Sequence, residues 1–514
     1  MTSTLYQGCS MGELLLTAIQ RGGDRTAFIV DDSSLTYREF GDLLSRFIQA
    51  LEQQGLRKGD TVATLSSNRP EAFMVTAAGW MMGLCVVGLN PTSSEDDHAY
   101  MLQDSGAGHL FYDPVNYADR AQILKQRVDG LHGVWALGAG GPGKDILAAA
   151  AGFAVQRMVP RAGYEDVCSM VYTGGTTGKP KGVVHTHRVQ VTMASMELLD
   201  WEWPEQVRFL AMTPITHAAG SSIMPTLLRS GTFVMAKAFA PQAFFELVQK
   251  HRITATFLVP TMLYVLLDHP DIAAARLDSL ELIVYGAAPM SPQRLVEGMG
   301  VFGSVFMQIY GQSEAPMTLT VLRKQDHDPE HHPHRLASCG TPVIGNQVRL
   351  LDDAGNEVPD GEVGEICVRG PLVMQGYWNK LEETEQAFRH GWLHTGDLAR
   401  RDADGYLYIV DRSKDMIITG GFNVFPREIE DVLTQHPAVA NAAVIGVADP
   451  KWGEAVTGFV MLRAGMTVDA QDLIDMVRQQ KGAVHAPKRI EFVEELAQTP
   501  LGKLDKKAIR RQYA

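Results

Sequence analysis

The sequence predicts an α/β fold of at least two domains, on three observations. Its 514 residues exceed the reach of one hydrophobic core, and with 45% hydrophobic and 20% charged residues it is too apolar for extended disorder. Strand-like runs at 63–66, 167–172, 256–259 and 282–285 alternate with helical patterns at 38–54 and 241–250, the order that builds largely parallel sheets. Near Val343 the texture changes to short strands at 347–351 and 364–369 around the turn Asp353-Ala354-Gly355-Asn356, which predicts a small antiparallel sheet or barrel-like subdomain.

The first residues lack a basic run ahead of their short apolar stretch, so no secretory signal is expected. Residues 72–89 carry no charge and reach the lower length limit of a membrane span. Gly79, Gly83 and Gly88 interrupt them, Cys85-Val86-Val87 is strand-like, and Asn90-Pro91 ends the run. That pattern predicts a buried helix stopping near Gly83, then a buried strand, and no transmembrane segment. Beyond Asp411 a helix at 426–435, a strand at 441–447 and a helix at 470–480 predict a small independent α+β unit. The alternating charges at 411–415 place the boundary, giving domains 1–411 and 412–514.

Forty-six basic against fifty-nine acidic side chains leave a net charge of −13 with no long basic run, which excludes a nucleic-acid or anionic-membrane footprint. The five cysteines are odd in number, far apart and never in a C-x-x-C pair. A disulfide framework and a cysteine zinc site are therefore not expected, and the usage fits a reducing cytoplasm. Oligomeric state stays open, a homodimer among the options.

Two glycine-rich stretches compete as phosphate sites. Gly138-Ala139-Gly140-Gly141-Pro142-Gly143 matches G-x-G-x-x-G, with Glu165 and Asp166 downstream, and would make the protein an NAD-dependent dehydrogenase. Pro142 and Lys144-Asp145 stand where the helix should open, however, and no second mononucleotide-binding half follows, so a surface loop is expected. The second stretch, Tyr172-Thr173-Gly174-Gly175-Thr176-Thr177-Gly178-Lys179-Pro180-Lys181-Gly182-Val183, follows a strand. Its glycines let backbone N–H groups converge on phosphate oxygens, and its threonines and lysines add donors and charge. It is not a Walker A loop, since the glycine spacing is one residue short and Pro180 replaces the magnesium-binding hydroxyl.

The second stretch resembles the phosphate loop of the acyl-adenylate-forming (AMP-binding) superfamily, which includes acyl-CoA synthetases, amino-acid adenylation domains and firefly luciferase. Further motifs of that family follow in order: Tyr310-Gly311-Gln312-Ser313-Glu314, Thr395-Gly396-Asp397, Asp411-Arg412-Ser413-Lys414-Asp415, Gly420-Gly421, 426–430 and Gly502-Lys503. The resemblance covers essentially the whole chain and points to the acyl-CoA synthetase branch, with a small C-terminal domain that moves on a larger one. It implies that Thr173, Gly174, Gly175, Thr176, Thr177, Gly178 and Lys181 cradle phosphates and that Tyr310 stacks on adenine. Gly311 belongs to the nucleotide site, Ser313, where the family usually has Thr, lies against the α-phosphate, and Glu314 ligates magnesium. Gly286, Ala287 and Ala288 wedge between adenine and the acyl pocket. Asp397 accepts the ribose hydroxyls, and Arg412 holds ribose and phosphate. Lys503 reaches the forming adenylate, Lys414 is the hinge, and Gly420-Gly421 lets pantetheine pass. Val484-His485 occupies the place where the family commonly has Tyr-Lys.

In the family the segment Pro214-Ile215-Thr216-His217-Ala218-Ala219-Gly220-Ser221-Ser222 lines the acyl pocket with residues near Tyr285. By that resemblance His217, Ala218, Gly220, Ser221 and Tyr285 form the pocket, and His217 joins Lys503, Glu314 and Lys414 as catalytic. Side chains after His217 are small and none is Lys or Arg, which suits an aromatic, alicyclic or medium-chain monocarboxylate. The expected activity is an ATP-dependent acid–thiol ligase: the acid and MgATP give acyl-AMP and pyrophosphate, then coenzyme A displaces AMP. No tightly bound organic cofactor is expected. Because no carrier module follows Ala514 in this sequence, coenzyme A is the expected acceptor, with a free carrier protein second. The histidines His327, His331, His332 and His334 sit among prolines and are expected in a mobile surface loop rather than at a metal.

Overall fold

Local signals start and stop the helices where the sequence asks. Ser10 with Glu13 and Thr36 with Glu39 form capping boxes at the helices Met11–Gly22 and Tyr37–Gln53. Pro70 opens the helix Pro70–Met82, and Gly83, at φ +77°, closes it. The strand Cys85–Gly88 follows, as the glycine-interrupted run predicts. The structure, a computed structural model, describes residues 8–173, 179–412, 414–498 and 504–513. No helix among the described residues is long and apolar enough to cross a membrane.

Two large sheets dominate. One runs in the order Thr341–Pro342, Ala315–Leu322, Phe306–Gln312, Leu282–Gly286, Ala255–Leu258, Arg208–Ala211, Thr232–Met235, Thr26–Val30, Ser33–Thr36. The other runs Gly376–Tyr377, Lys181–Thr186, Val167–Thr173, Cys85–Gly88, Thr61–Leu65, His109–Tyr112, Gly133–Ala136, Lys144–Asp145. Both are parallel at the centre and antiparallel toward the edges that carry 312–322 and 181–186. The main core joins the two sheets through the helices between them. That explains why Pro70–Met82 is apolar on all sides: most of its residues are buried. Second and third cores cover the outer faces, so the large domain has five α/β/α/β/α layers.

The texture change after Val343 marks a third sheet of four antiparallel strands, Gln347–Leu351, Gly364–Arg369, Leu393–Arg401 and Leu407–Arg412. Its strand path is open among the described residues rather than closed into a barrel. The C-terminal domain follows with a fourth sheet in which Val439–Asp449 pairs Gly453–Leu462, and the helices Pro426–Leu433 and Ala470–Lys481 pack on its own core. All five cysteines are unpaired, and Cys85, Cys168, Cys339 and Cys367 are buried.

Candidate active site

Asp397 joins the first and third sheets. It lies directly across from Arg412 in the antiparallel register, and Arg412 Nε meets Asp397 Oδ1 at 3.1 Å. From the first sheet, the Tyr310 hydroxyl donates to Asp397 Oδ2 at 2.7 Å. Burial and the Asp397 charge push that hydroxyl well above its ordinary value, so it remains a donor. The turn ahead of Asp397 is fixed by a residue the sequence reading missed. Glu365 Oε1 accepts the Gly396 N–H at 2.8 Å, and the Thr395 hydroxyl donates to Ile366 O while accepting the Asp397 N–H. Glu365, Cys367 and His394 cluster closely enough to suggest a metal. Their ligand atoms are already spent on each other, however, and Arg389 pairs with Glu365 at 2.6 Å. The group braces the turn.

Glu314 occupies the tight connection between the antiparallel strands Phe306–Gln312 and Ala315–Leu322. Its backbone oxygen accepts the Met374 N–H at 2.8 Å, and Tyr377 donates its hydroxyl to Oε1 at 2.7 Å. The other carboxyl oxygen has no partner among the described residues. One carboxylate with a free oxygen suits Mg²⁺, which is usually held by one or two carboxylates together with substrate phosphates. Lys181 Nζ lies 5.0 Å over the Tyr377 ring, so both charges share one aromatic support. Thr173 and Lys181 face each other at the open ends of paired strands, with the glycine-rich stretch between them. Gly174, Gly175, Thr176, Thr177 and Gly178 lie outside the described residues, as does Lys503.

His185, also missed, holds the Ser313 carbonyl at 2.7 Å through Nε2 and takes a hydrogen bond from Gln190 on Nδ1. Full burial lowers it to about 4, so it is neutral and serves as a fixed positioning group. In the small-residue loop, Ala287 adopts φ +66° and Gly286 has no room for a side chain: a Cβ there would lie 2.4 Å from Ile309 O.

The segment from Thr213 to His217 is clamped by Asn68, which donates to Thr213 O and accepts the Ile215 N–H, both at 2.9 Å. Thr216 Oγ1 and His217 Nδ1 lie 2.9 Å apart, and Ala218–Ser221 forms a short helix. Two expectations for the acyl pocket need correction. Tyr285 is fully buried in the second core, where its hydroxyl donates to His327 Nε2 at 2.9 Å, so its side chain is unavailable to a pocket. The same contact removes His327 from the surface loop: it is buried and bonded to Arg323 O, whereas His331 and His334 are exposed. Gly220 provides no spare pocket volume either. A Cβ there would lie 1.9 Å from Ile215 O, so the glycine permits a close backbone approach. Gly220→Leu is therefore expected to lower activity with short and bulky acids alike and to cost about 1–3 kcal/mol of stability. Kinetics with both acid classes beside thermal unfolding checks this; selective loss of bulky acids at unchanged stability would contradict it.

Behind this segment lies Glu197, fully buried on the helix His187–Asp200 with neither carboxyl oxygen hydrogen-bonded. Burial pushes it up to about 8. The folded state thus holds this proton more tightly than the unfolded chain. The stability of that form is fully present below about pH 4.5 and is lost as pH rises through about 8. Glu197→Gln is expected to flatten the fall in Tm between pH 5 and 8, read by calorimetry; an unchanged slope would rule out ionisation of Glu197 as the cause.

At the domain boundary, Asp411 accepts the N–H groups of Arg412 and Arg427, tying the third sheet to the first helix of the small domain. Lys414 is exposed in the turn that follows. The helix Lys506–Tyr513 is held back to the small domain and to this turn by Lys506–Glu430 at 2.8 Å and Arg510–Asp415 at 3.0 Å. Gly420 and Gly421 are exposed at φ +58° and +82°, beside Ile418, Phe422 and Trp452. The stretch 138–143 is a loop that leads into the two-residue strand Lys144–Asp145, not into a helix, and so lacks the dinucleotide geometry.

Fold and site together define a two-domain α/β ligase that uses ATP, forms AMP and activates a carboxylic acid for transfer to a thiol. A model described as AMP-binding enzyme matches residues 15–378, and one described as AMP-binding enzyme C-terminal domain matches 428–503. The chain belongs to this AMP-binding enzyme family, in its acyl-CoA and amide synthetase branch. It is 46% identical to a medium/long-chain-fatty-acid–CoA ligase, FadD8, of Mycobacterium tuberculosis, over 98% of this chain and 90% of that protein. A feruloyl-CoA synthase of Amycolatopsis sp is 36% identical over 97% of this chain and 96% of its own. The structure of the amide bond synthetase McbA from Marinactinospora thermotolerans superposes with a TM-score of 0.90 at 33% identity, covering 98% of this chain and 100% of that one.

Proposed function

We propose that the protein is an acyl-CoA synthetase for hydrophobic monocarboxylic acids of the medium-chain, alicyclic or aromatic class. The observation that carries this reading is the Tyr310–Asp397–Arg412 group, held together by a hydrogen bond and an ion pair, in a chain whose His217 segment carries no Lys or Arg. Relatives named for fatty and feruloyl substrates support the acid class.

In the first half-reaction Tyr310 packs on adenine, while Asp397 takes the ribose hydroxyls and Arg412 holds ribose and phosphate. Thr173, Gly174, Gly175, Thr176, Thr177, Gly178 and Lys181 hold the phosphates. Glu314 holds Mg²⁺, whose chemistry is to neutralise phosphate charge as it develops. Gly286, Ala287 and Ala288 part the nucleotide from the acid, with Gly311 in the nucleotide site and Ser313 against the α-phosphate. The acid lies against His217, Ala218 and Ser221, with Gly220 contributing backbone alone. Its carboxylate oxygen bonds to the α-phosphorus as the bond to the bridging oxygen breaks and pyrophosphate leaves, Lys503 meeting the charge. The small domain, 412–514, then turns about Lys414 and brings Gly420-Gly421 to the pantetheine thiolate, which attacks the acyl carbon and expels AMP. The free, largely buried cysteines fit the reducing cytoplasm, where we place the activity.

A panel of acids assayed for AMP release, with coenzyme A and with a pantetheinylated carrier protein as separate acceptors, tests the reading. Decanoate- and cinnamate-like acids are expected to turn over with coenzyme A and acetate and diacids poorly. Turnover with the carrier alone would replace the acceptor, and preference for a diacid would overturn the acid class.

A further inference from the structure

Asn68 also lines a cavity of about 590 Å³, within the size range of small-molecule sites. Phe28, Leu43, Phe47, Met74 and Leu147 give it an apolar wall. Leu43 is 41% exposed, an apolar side chain left uncovered at this cavity. The charged groups in its lining do not balance locally. Three cations, Arg46, Arg69 and Lys237, face three carboxylates, Asp31, Glu71 and Asp113. Lys237 pairs with Asp31 at 2.7 Å, and Arg69 takes both Glu71 at 2.8 Å and Asp113 at 3.2 Å. Arg46 is left over. Its Nε is buried without a hydrogen-bond partner, and no carboxylate pairs with it among the described residues. A guanidinium with no carboxylate partner beside an apolar wall suits an anion with an apolar tail.

We propose that this cavity is a second acid site, separate from the nucleotide centre, that binds an amphipathic monocarboxylate with its carboxylate on Arg46 and its chain along the Phe28–Phe47 wall. The planar guanidinium matches a carboxylate in two parallel hydrogen bonds. Asn68 lines the cavity and also clamps Thr213 and Ile215, so the occupant sits against the residue that fixes the acyl segment. The site stands whichever acid the enzyme activates.

Equilibrium dialysis with labelled decanoate tests this, in the presence of saturating 5′-O-(N-decanoylsulfamoyl)adenosine to fill the nucleotide and acyl site. If that site rejects decanoate, it contributes no binding and the readout is unaffected. One decanoate per chain is expected to remain bound, and methyl decanoate should not compete. Arg46→Met should weaken binding by about tenfold to a hundredfold, the worth of hydrogen bonds to a charged group. Ala151→Trp, at a lining position exposed to solvent, should abolish binding by filling the space with the charges intact. Circular dichroism confirms that each variant is folded. Absence of bound decanoate in the wild type, or wild-type binding in a folded Arg46→Met or Ala151→Trp chain, overturns the proposal.

Discussion

Lys503→Ala is expected to slow acyl-adenylate formation by about a hundredfold or more, the scale of losing one preorganised charge donor at a transition state. Thioester formation from supplied acyl-AMP should proceed at the wild-type rate. The selectivity arises because charge builds on the α-phosphate and the attacking carboxylate only in the first step. Collapse of the small domain is not the expected cause of the loss. Leu504 is bridged to Gln498, Ile509 is buried against Ala443 and Phe459, and Lys506 and Arg510 make ion pairs to Glu430 and Asp415. None of these contacts involves the Lys503 side chain. Pyrophosphate exchange and single-turnover thioester formation measure the two halves separately, and an equal loss in both would remove Lys503 from the first transition state.

Lys414→Pro should produce the reverse pattern. A hinge residue must occupy two backbone conformations, and the proline ring fixes φ. In the described turn the Asp415 and Met416 N–H groups both reach Arg412 O, and no backbone hydrogen bond from the Lys414 N–H is part of that turn. The substitution thus removes no backbone hydrogen bond described for this turn, and the fixed φ restricts the backbone rotation that the second half-reaction needs. Adenylation is expected to persist and thioester synthesis to fall by about a hundredfold, the penalty of presenting a reacting group about an ångström out of place. Single-turnover measurement of both steps decides it; undiminished thioester formation would move the hinge elsewhere.

The elements that carry their own punctuation were legible in the sequence. Gly83 and Asn90-Pro91 delimit a helix and a strand that form as expected, and the texture change after Val343 marks the start of the wholly antiparallel third sheet. Gly138-Ala139-Gly140 was legible as a loop because Pro142 denied it a helix. The side-chain partners were not legible. Nothing in the spacing of Tyr285 and His327 signals that they meet across 42 residues to close the second core. Small residues after His217 read as open space, yet Gly220 is small because Ile215 O approaches it. Glu365 and His185 act through partners distant in sequence, Gly396 and Ser313, and such contacts leave no local pattern. The motif residues were visible as letters, but the groups that hold them in place are properties of the sheets.

The buried cysteines have a consequence for an enzyme that handles activated acyl groups. Acyl-AMP is an acylating agent toward any thiolate. Cys367 lies on the strand paired with the one that carries Asp397, and Cys339 bonds to Leu407 on the strand beyond it. Burial pushes the Cys339 thiol up to about 11 and the Cys85 and Cys367 thiols up to about 12, and it raises Cys168 as well. Near neutral pH they hold their protons and are nearly inert as nucleophiles. Burial thereby makes these four thiols poor targets for the activated acyl group and leaves thiolate chemistry to the acceptor that arrives from solvent.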